Sequence, residues 1–205
     1  MRFIVMITGA SGVIYALRLL EVLHKLGHYV ETIISKESLD VSYSECLDRD
    51  SFTRLVSKFS EKVYEEHMID APPSSSSYII NFDGFIVAPC SINTLAKAAY
   101  GITDNLINRV ISNALRVRKK IIFVLRETPL SVIELRNALI LAEAGGIILP
   151  ASPGFYHNPR ETLDLVDFIV GKILDLLEVK HDLYRRWEGS SIGRDLCHHV
   201  FSKDL

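Results

Sequence analysis

The chain has 205 residues, with 23 Lys+Arg against 25 Asp+Glu, 48% hydrophobic content and a mean hydropathy of +0.21. These values exclude a disordered chain and a basic nucleic-acid-binding surface, so any anion site must be made locally. No apolar run is long enough to span a bilayer or reads as a signal peptide, and the three cysteines, Cys46, Cys90 and Cys197, are widely spaced. The expectation is a single-domain cytoplasmic protein with reduced thiols and no nucleic-acid or membrane partner.

Residues 2–12, RFIVMITGASG, join a continuous apolar run to a tight Gly/Ser turn. The run predicts a strand covered on both faces in a parallel sheet, and Val13 to Leu26 resumes with helical spacing. Gly9 and Gly12 permit a sharp turn, and the N–H groups of a following helix make such a turn an anion site. Tyr29 to Ile34 reads as a second strand ending at Ser35, whose hydroxyl either caps the next helix or touches a ligand. Helical pieces are expected at about 36–46 and 51–59. The DAPPSSSS run at 70–77 is a loop, either a plain linker or part of a pocket wall.

Gly84 to Ala88 predicts a third strand opening into Pro89-Cys90-Ser91-Ile92-Asn93-Thr94, with Ser91 as the helix cap. Cys90 has no histidine nearby in sequence and reads as an inert strand-end thiol. A helix from Asp104 to about Val117 carries Arg109 and Arg116. Lys120 to Leu125 predicts a fourth strand that delivers Arg126 and Glu127 at its end, and a charged pair at so apolar a strand mouth points to a ligand. Leu130 to Glu143 reads as an amphipathic helix and Ile147 to Leu149 as a fifth strand. The loop ASPGFYHNP then presents Tyr156 and His157, and a last helix, about 160–178, bears Lys172. The Cys197-His198-His199 cluster lacks ordinary metal-ligand spacing and reads as polar tail.

Gly9 to Gly12, Ser35, Ser91 to Thr94, Arg126-Glu127 and the loop after Pro150 all fall at predicted carboxyl ends of strands. In a doubly wound parallel sheet these ends share the edge where ligands bind. The site is expected to offer N–H donors, hydroxyls and one cation without a carboxylate cluster, which suits a phosphorylated cofactor with an apolar body better than a metal. There is no G-x-x-x-x-G-K-[ST], no complete G-x-G-x-x-G and no G-x-S-x-G.

With TGASG at Thr8, PCSINTLA at Pro89, DNLINR at Asp104, RETPL at Arg126 and PASPGFYHNP at Pro150, the sequence resembles the UbiX-type flavin prenyltransferases over nearly its whole length. These stand within the homo-oligomeric flavin-containing cysteine-decarboxylase-like superfamily. The resemblance implies an α/β, flavodoxin-like or Rossmann-like doubly wound sheet flanked by helices, with the domain at 1–187 and a polar tail at 188–205. It implies FMN held by Gly9, Ala10, Ser11, Ser35, Ser91, Ile92, Asn93, Thr94 and Arg126, and dimethylallyl monophosphate held by Tyr156 and Lys172 and approached by Arg109 and Arg116. Ser11 and Glu127 would manage protons. The implied reaction joins the dimethylallyl group to N5 and C6 of reduced FMN without a metal, and the product, prenylated FMN, would pass to a UbiD-type decarboxylase. The family assembles as homo-oligomers, typically dodecamers. Lys172 stands where the family commonly has arginine and Arg116 where it commonly has lysine, swaps that keep charge but change fork geometry. The competing readings are an FMN carrier or accessory subunit of an aromatic acid decarboxylase, and an FMN-dependent cysteine decarboxylase. The latter would need a histidine after the first helix, where only His28 stands.

Overall fold

The computed structural model describes residues 1–189 and 196, which excludes the Cys197-His198-His199 cluster. Internal contacts divide the chain into a first compact unit, Met1–Pro150, and a second that begins at Ala151. The first unit is built on a six-stranded parallel sheet. Its strands are β1 (Arg2–Ile7), β2 (Tyr29–Ile34), β3 (Lys62–Glu65), β4 (Gly84–Cys90), β5 (Ile121–Leu125) and β6 (Ile147–Pro150). The order is β3-β2-β1-β4-β5-β6, so the winding reverses between β1 and β4. That is the doubly wound arrangement, and the reversal opens a crevice beyond the carboxyl ends of those two strands.

The central strands are apolar because both their faces are covered. Phe3 to Ile7, Phe85 to Ala88 and Ile121 to Val124 are fully buried, and Phe82, Phe85 and Phe123 are among the largest side chains without solvent contact. Each such ring stabilises the fold by about 1.5–3 kcal/mol through burial. The register of β4 on β5 shifts between Val87 and Cys90, an irregularity at the end of the strand that faces the crevice.

Around the sheet lie α1 (Val13–Lys25), α2 (Lys36–Glu45), α3 (Arg49–Lys58), the four-residue α4 (Ser76–Ile79), α5 (Ile92–Ala99), α6 (Leu106–Arg116) and α7 (Val132–Glu143). Every long helix foreseen is present. Three readings change. The 70–77 run, expected as a loop, holds a 3-10 turn at Pro72–Ser74 and the start of α4, since proline is tolerated in the first turn of a helix. Sequence periodicity did not reveal β3, whose four residues are too few to show an alternation. The third concerns α7, which is not amphipathic: Val132, Ile133, Leu135 and Leu139 are exposed while Asn137 and Leu141 are buried, so apolar side chains stand on both sides of the helix. In the second unit, Phe168 of α8 (Thr162–Leu176) packs against the rings of Tyr156, His157 and Tyr184.

Candidate active site

A cleft of about 200 Å³ lies at the carboxyl edge of the first unit's sheet, lined at its strand ends by Gly9, Ala10, Ser35, Ser91 and Arg126. That is below the ~300 Å³ at the small end of sites for drug-sized ligands, so it encloses one part of such a molecule. The two sides of the crevice are tied together by Thr8, which is 1% exposed. Its Oγ1 donates to the Pro89 carbonyl (2.7 Å) and accepts the Ser91 N–H (2.9 Å), so the turn after β1 and the start of α5 are held by one hydroxyl.

Three helices open onto the cleft, and each is capped by its own polar residue. Ser35 Oγ accepts the Ser38 N–H of α2 (3.1 Å), Ser91 Oγ accepts the Thr94 N–H of α5 (3.2 Å), and Asn105 Oδ1 accepts the Asn108 N–H of α6 (2.9 Å). Capping is therefore the role of Ser35 and Ser91 in the chain itself. At α5, Ile92 and Asn93 occupy the first turn, whose N–H groups have no partner within the helix and carry the positive end of its dipole. Both residues line the cleft together with Thr94. At the heads of two neighbouring helices one N–H each is engaged by a carboxylate. The Gly12 N–H at the head of α1 donates to Glu45 Oε2 (2.8 Å), and the Lys36 N–H at the head of α2 donates to Glu66 Oε1 (2.8 Å). The α5 terminus thus presents to the cleft N–H groups that have no partner within the helix.

The cleft carries more charge than the expected one cation without a carboxylate cluster. Arg126 and Glu127 both line the cleft but approach only to 3.9 Å, and the Arg126 Nε–H is buried without a hydrogen-bond partner. Glu37, Glu66 and Lys97 line it as well. Lys97 pairs with Asp104 (2.7 Å), and Glu66 Oε2 accepts from Asn105 Nδ2 (2.7 Å). Burial, followed by the nearby Glu37 carboxylate, pushes the Glu66 carboxyl above the usual range. The expectation missed Glu66 because it follows β3, the strand the sequence did not reveal, and it missed Glu45 because that residue reaches Gly12 from the far end of α2, with α1 and β2 also between them.

Other expected residues stand elsewhere. Ser11 is exposed on the β1 turn and is not part of the cleft lining, which takes Gly9 and Ala10 from the same turn. Arg109 is exposed on α6, and Arg116, in the last turn of that helix, donates to Asn113 Oδ1. At 1.5 Å per residue, Arg116 is about 15 Å along α6 from the cleft end. Cys90 is fully buried, and burial pushes its thiol far up, so it is no nucleophile. Among the described residues no three His, Cys, Asp or Glu side chains gather as they would around a metal ion.

In the second unit, Tyr156 packs edge-on against Phe168 (5.7 Å) and Trp187 (5.6 Å), and the Lys172 ammonium lies 5.2 Å from the Phe168 ring and 4.9 Å from the Tyr184 ring. Burial draws the Lys172 pKa down, but its hydrogen bond to the Tyr184 hydroxyl, with Tyr184, Tyr156 and Asp175 nearby, outweighs this and holds it above the ordinary lysine value. Lys172 is therefore charged at neutral pH. Asp175 in turn accepts from the Tyr184 hydroxyl, from His181 Nε2 (3.0 Å) and from Arg186 (2.6 Å). The Leu183 N–H donates to His181 Nδ1 (3.3 Å), which puts the ring proton on Nε2, facing Asp175.

The flavoprotein family model matches residues 1–174. The flavin prenyltransferase UbiX of Saccharolobus solfataricus is 48% identical over 92% of this chain and 92% of its own length, and that of Aquifex aeolicus is 41% identical over 89% and 96%. Among solved structures, AnUbiX (PadA1) in complex with FMN and dimethylallyl pyrophosphate superposes with a TM-score of 0.87 at 34% identity, over 93% of this chain and 98% of that one. A dodecameric FMN-dependent UbiX-like decarboxylase from Escherichia coli O157:H7 gives a TM-score of 0.86 at 32% identity, over 92% and 100%. The peptidyl-cysteine decarboxylase EpiD, at 19% identity and a TM-score of 0.63, shares the fold alone. With the switch-point cleft and the open α5 terminus, these likenesses place the chain in the flavoprotein family, among the UbiX-type flavin prenyltransferases.

Proposed function

We propose that this chain transfers the dimethylallyl group of dimethylallyl monophosphate to N5 and C6 of reduced FMN, releasing phosphate and giving prenylated FMN. The observation that carries the reading is the cleft at the β1/β4 reversal. Its free α5 N–H groups suit a phosphate, and its two orphaned buried polar atoms, Arg126 Nε and Asn108 Oδ1, suit a ligand with both donors and acceptors. Gly9, Ala10, Ser91 to Thr94 and Arg126 would hold the flavin there, with Ser35 and Ser11 at its margin. Bound and reduced, the flavin supplies an electron-rich ring as the nucleophile.

The chain's own contribution is to the leaving group and to protons. An allylic C–O bond breaks readily when the departing phosphate is stabilised, and Lys172, held charged, and Tyr156 beside it are the donors we assign to that phosphate. Arg109 and Arg116, exposed in the single chain, are assigned to the same anion in the assembly. Glu127 is assigned to proton transfer and Ser11 to a supporting hydroxyl. Holding the two substrates together supplies proximity. The protein is taken to act as a homododecamer, as the E. coli relative does, and to hand its product to a UbiD-type decarboxylase. The free thiols of Cys46 and Cys90 support a reducing, cytoplasmic setting. No helix among the described residues is long and apolar enough to cross a membrane.

The test is anaerobic incubation of the protein with reduced FMN and dimethylallyl monophosphate, with the pyrophosphate in parallel, followed by mass spectrometry of the released flavin. A flavin heavier by one dimethylallyl group is expected with the monophosphate. Recovery of unmodified FMN alone would refute the reading. Glu127→Gln should cut the transfer rate by about 10²-fold or more while leaving FMN affinity within about twofold. A carrier without transfer activity would be indifferent to that change.

A further inference from the structure

Asn108 is 2% exposed and lines the cleft, yet its Oδ1 has no hydrogen-bond partner. The orientation of the carboxamide is fixed by its neighbour. Asn105 Oδ1 accepts both the Asn108 backbone N–H (2.9 Å) and Asn108 Nδ2 (3.1 Å). Turning the amide over would set oxygen against oxygen, so the nitrogen end faces Asn105 and the oxygen end is left over. The cap of α6 is already complete with the backbone bond and gains nothing from that oxygen. Burying an acceptor unpaired is costly, and such groups in folded proteins find a partner.

A second orphan of opposite polarity lines the same cleft, the buried Arg126 Nε–H. An acceptor and a donor left over together match a ligand that offers both, as a flavin does through its ring N–H beside carbonyls and through its ribityl hydroxyls. We infer that Asn108 Oδ1 accepts a hydrogen bond from the bound flavin and that this bond is part of how the cleft selects it. The inference deepens the flavin reading and rests on it.

The test compares wild type with Asn108→Leu, which keeps the shape and removes the acceptor, and with Asn108→Ala. FMN, riboflavin, lumiflavin and N3-methyl-FMN are titrated by flavin fluorescence, and the melting temperature of each flavin-free protein is measured. Both variants should bind FMN about tenfold more weakly, as expected for loss of one hydrogen bond, with the flavin-free Asn108→Leu melting at or above wild type. If the donor is the ring N3–H, lumiflavin weakens by the same factor and N3-methyl-FMN does not distinguish variant from wild type. If the donor is a ribityl hydroxyl, FMN and riboflavin weaken and lumiflavin does not. Unchanged FMN affinity in both variants overturns the inference, as does a loss of affinity matched by a lower melting temperature of the flavin-free protein in both. Failure of the wild type to take up any flavin overturns the flavin reading with it.

Discussion

Lys172 owes its place to a chain of neighbouring side chains. Its ammonium rests on the Tyr184 hydroxyl, and that hydroxyl is held by Asp175, whose carboxylate is also clamped by His181 and Arg186. Burial pushes the Asp175 carboxyl up, but hydrogen bonds from Arg186, Tyr184 and His181 outweigh it and hold it down to about 2, below its ordinary 3.8. A depressed carboxylate stabilises the fold above its unfolded pKa, and that stabilisation is lost as the pH falls through the folded one. Asp175→Asn should therefore cost about 1–2 kcal/mol at pH 7, allowing for partial solvent screening. The gap to wild type should close between about pH 4 and about pH 2. Denaturant unfolding of both proteins at neutral and acid pH reads this directly, and a gap independent of pH would refute it. Of this chain of contacts only Lys172 was singled out from the sequence, on the last helix and through the family resemblance. Tyr184 and Asp175 lie nine residues apart across a helix end, a spacing with no local signature.

At the scale of the element, the cleft depends on how closely β1 approaches α2. A Cβ built on Gly9 would stand 2.3 Å from Glu37 Cβ and 3.3 Å from its backbone carbonyl carbon. Real Cβ atoms do not come so close, so any side chain there drives the head of α2 away from the turn. Gly9→Ala should weaken FMN binding by tenfold or more and lower stability by about 1–3 kcal/mol, read by flavin titration and thermal unfolding. Wild-type affinity in that variant would show that α2 does not form a wall of the flavin site. The glycine turn, the strands β1, β4 and β5, and the cap Ser91 were visible beforehand because buried parallel strands are unbroken apolar runs with polar residues at their ends, whereas Asn105 as the cap of α6 was not. What stayed hidden was pairing over distance: Thr8 to Pro89, Gly12 to Glu45, Lys36 to Glu66. Each joins side chain to backbone across elements, and no periodicity in the chain encodes it.

At the scale of the whole molecule, α7 carries the densest run of exposed apolar side chains among the described residues. Ile133 is 68% exposed, Val132 60%, Leu139 57% and Leu135 54%, on a helix whose other side packs on α5. A helix apolar on all sides is a buried helix, and so large an exposed apolar surface marks an interface. Tyr100 and Ile102, just beyond α5, are also exposed. The sequence reading took the helix as amphipathic because its spacing supplies a core face; that a second apolar face exists only shows once the core face is known. The occupant that fits is another copy of the chain, in the assembly proposed above. Burying a leucine contributes about 1.5–3 kcal/mol, so placing carboxylates at two of these positions removes more than an interface of ordinary strength tolerates. Leu135→Glu with Leu139→Glu should therefore convert the oligomer seen by light scattering to smaller species, with circular dichroism unchanged because neither side chain belongs to the protomer's core. An unchanged mass would place the contact between copies elsewhere on the surface.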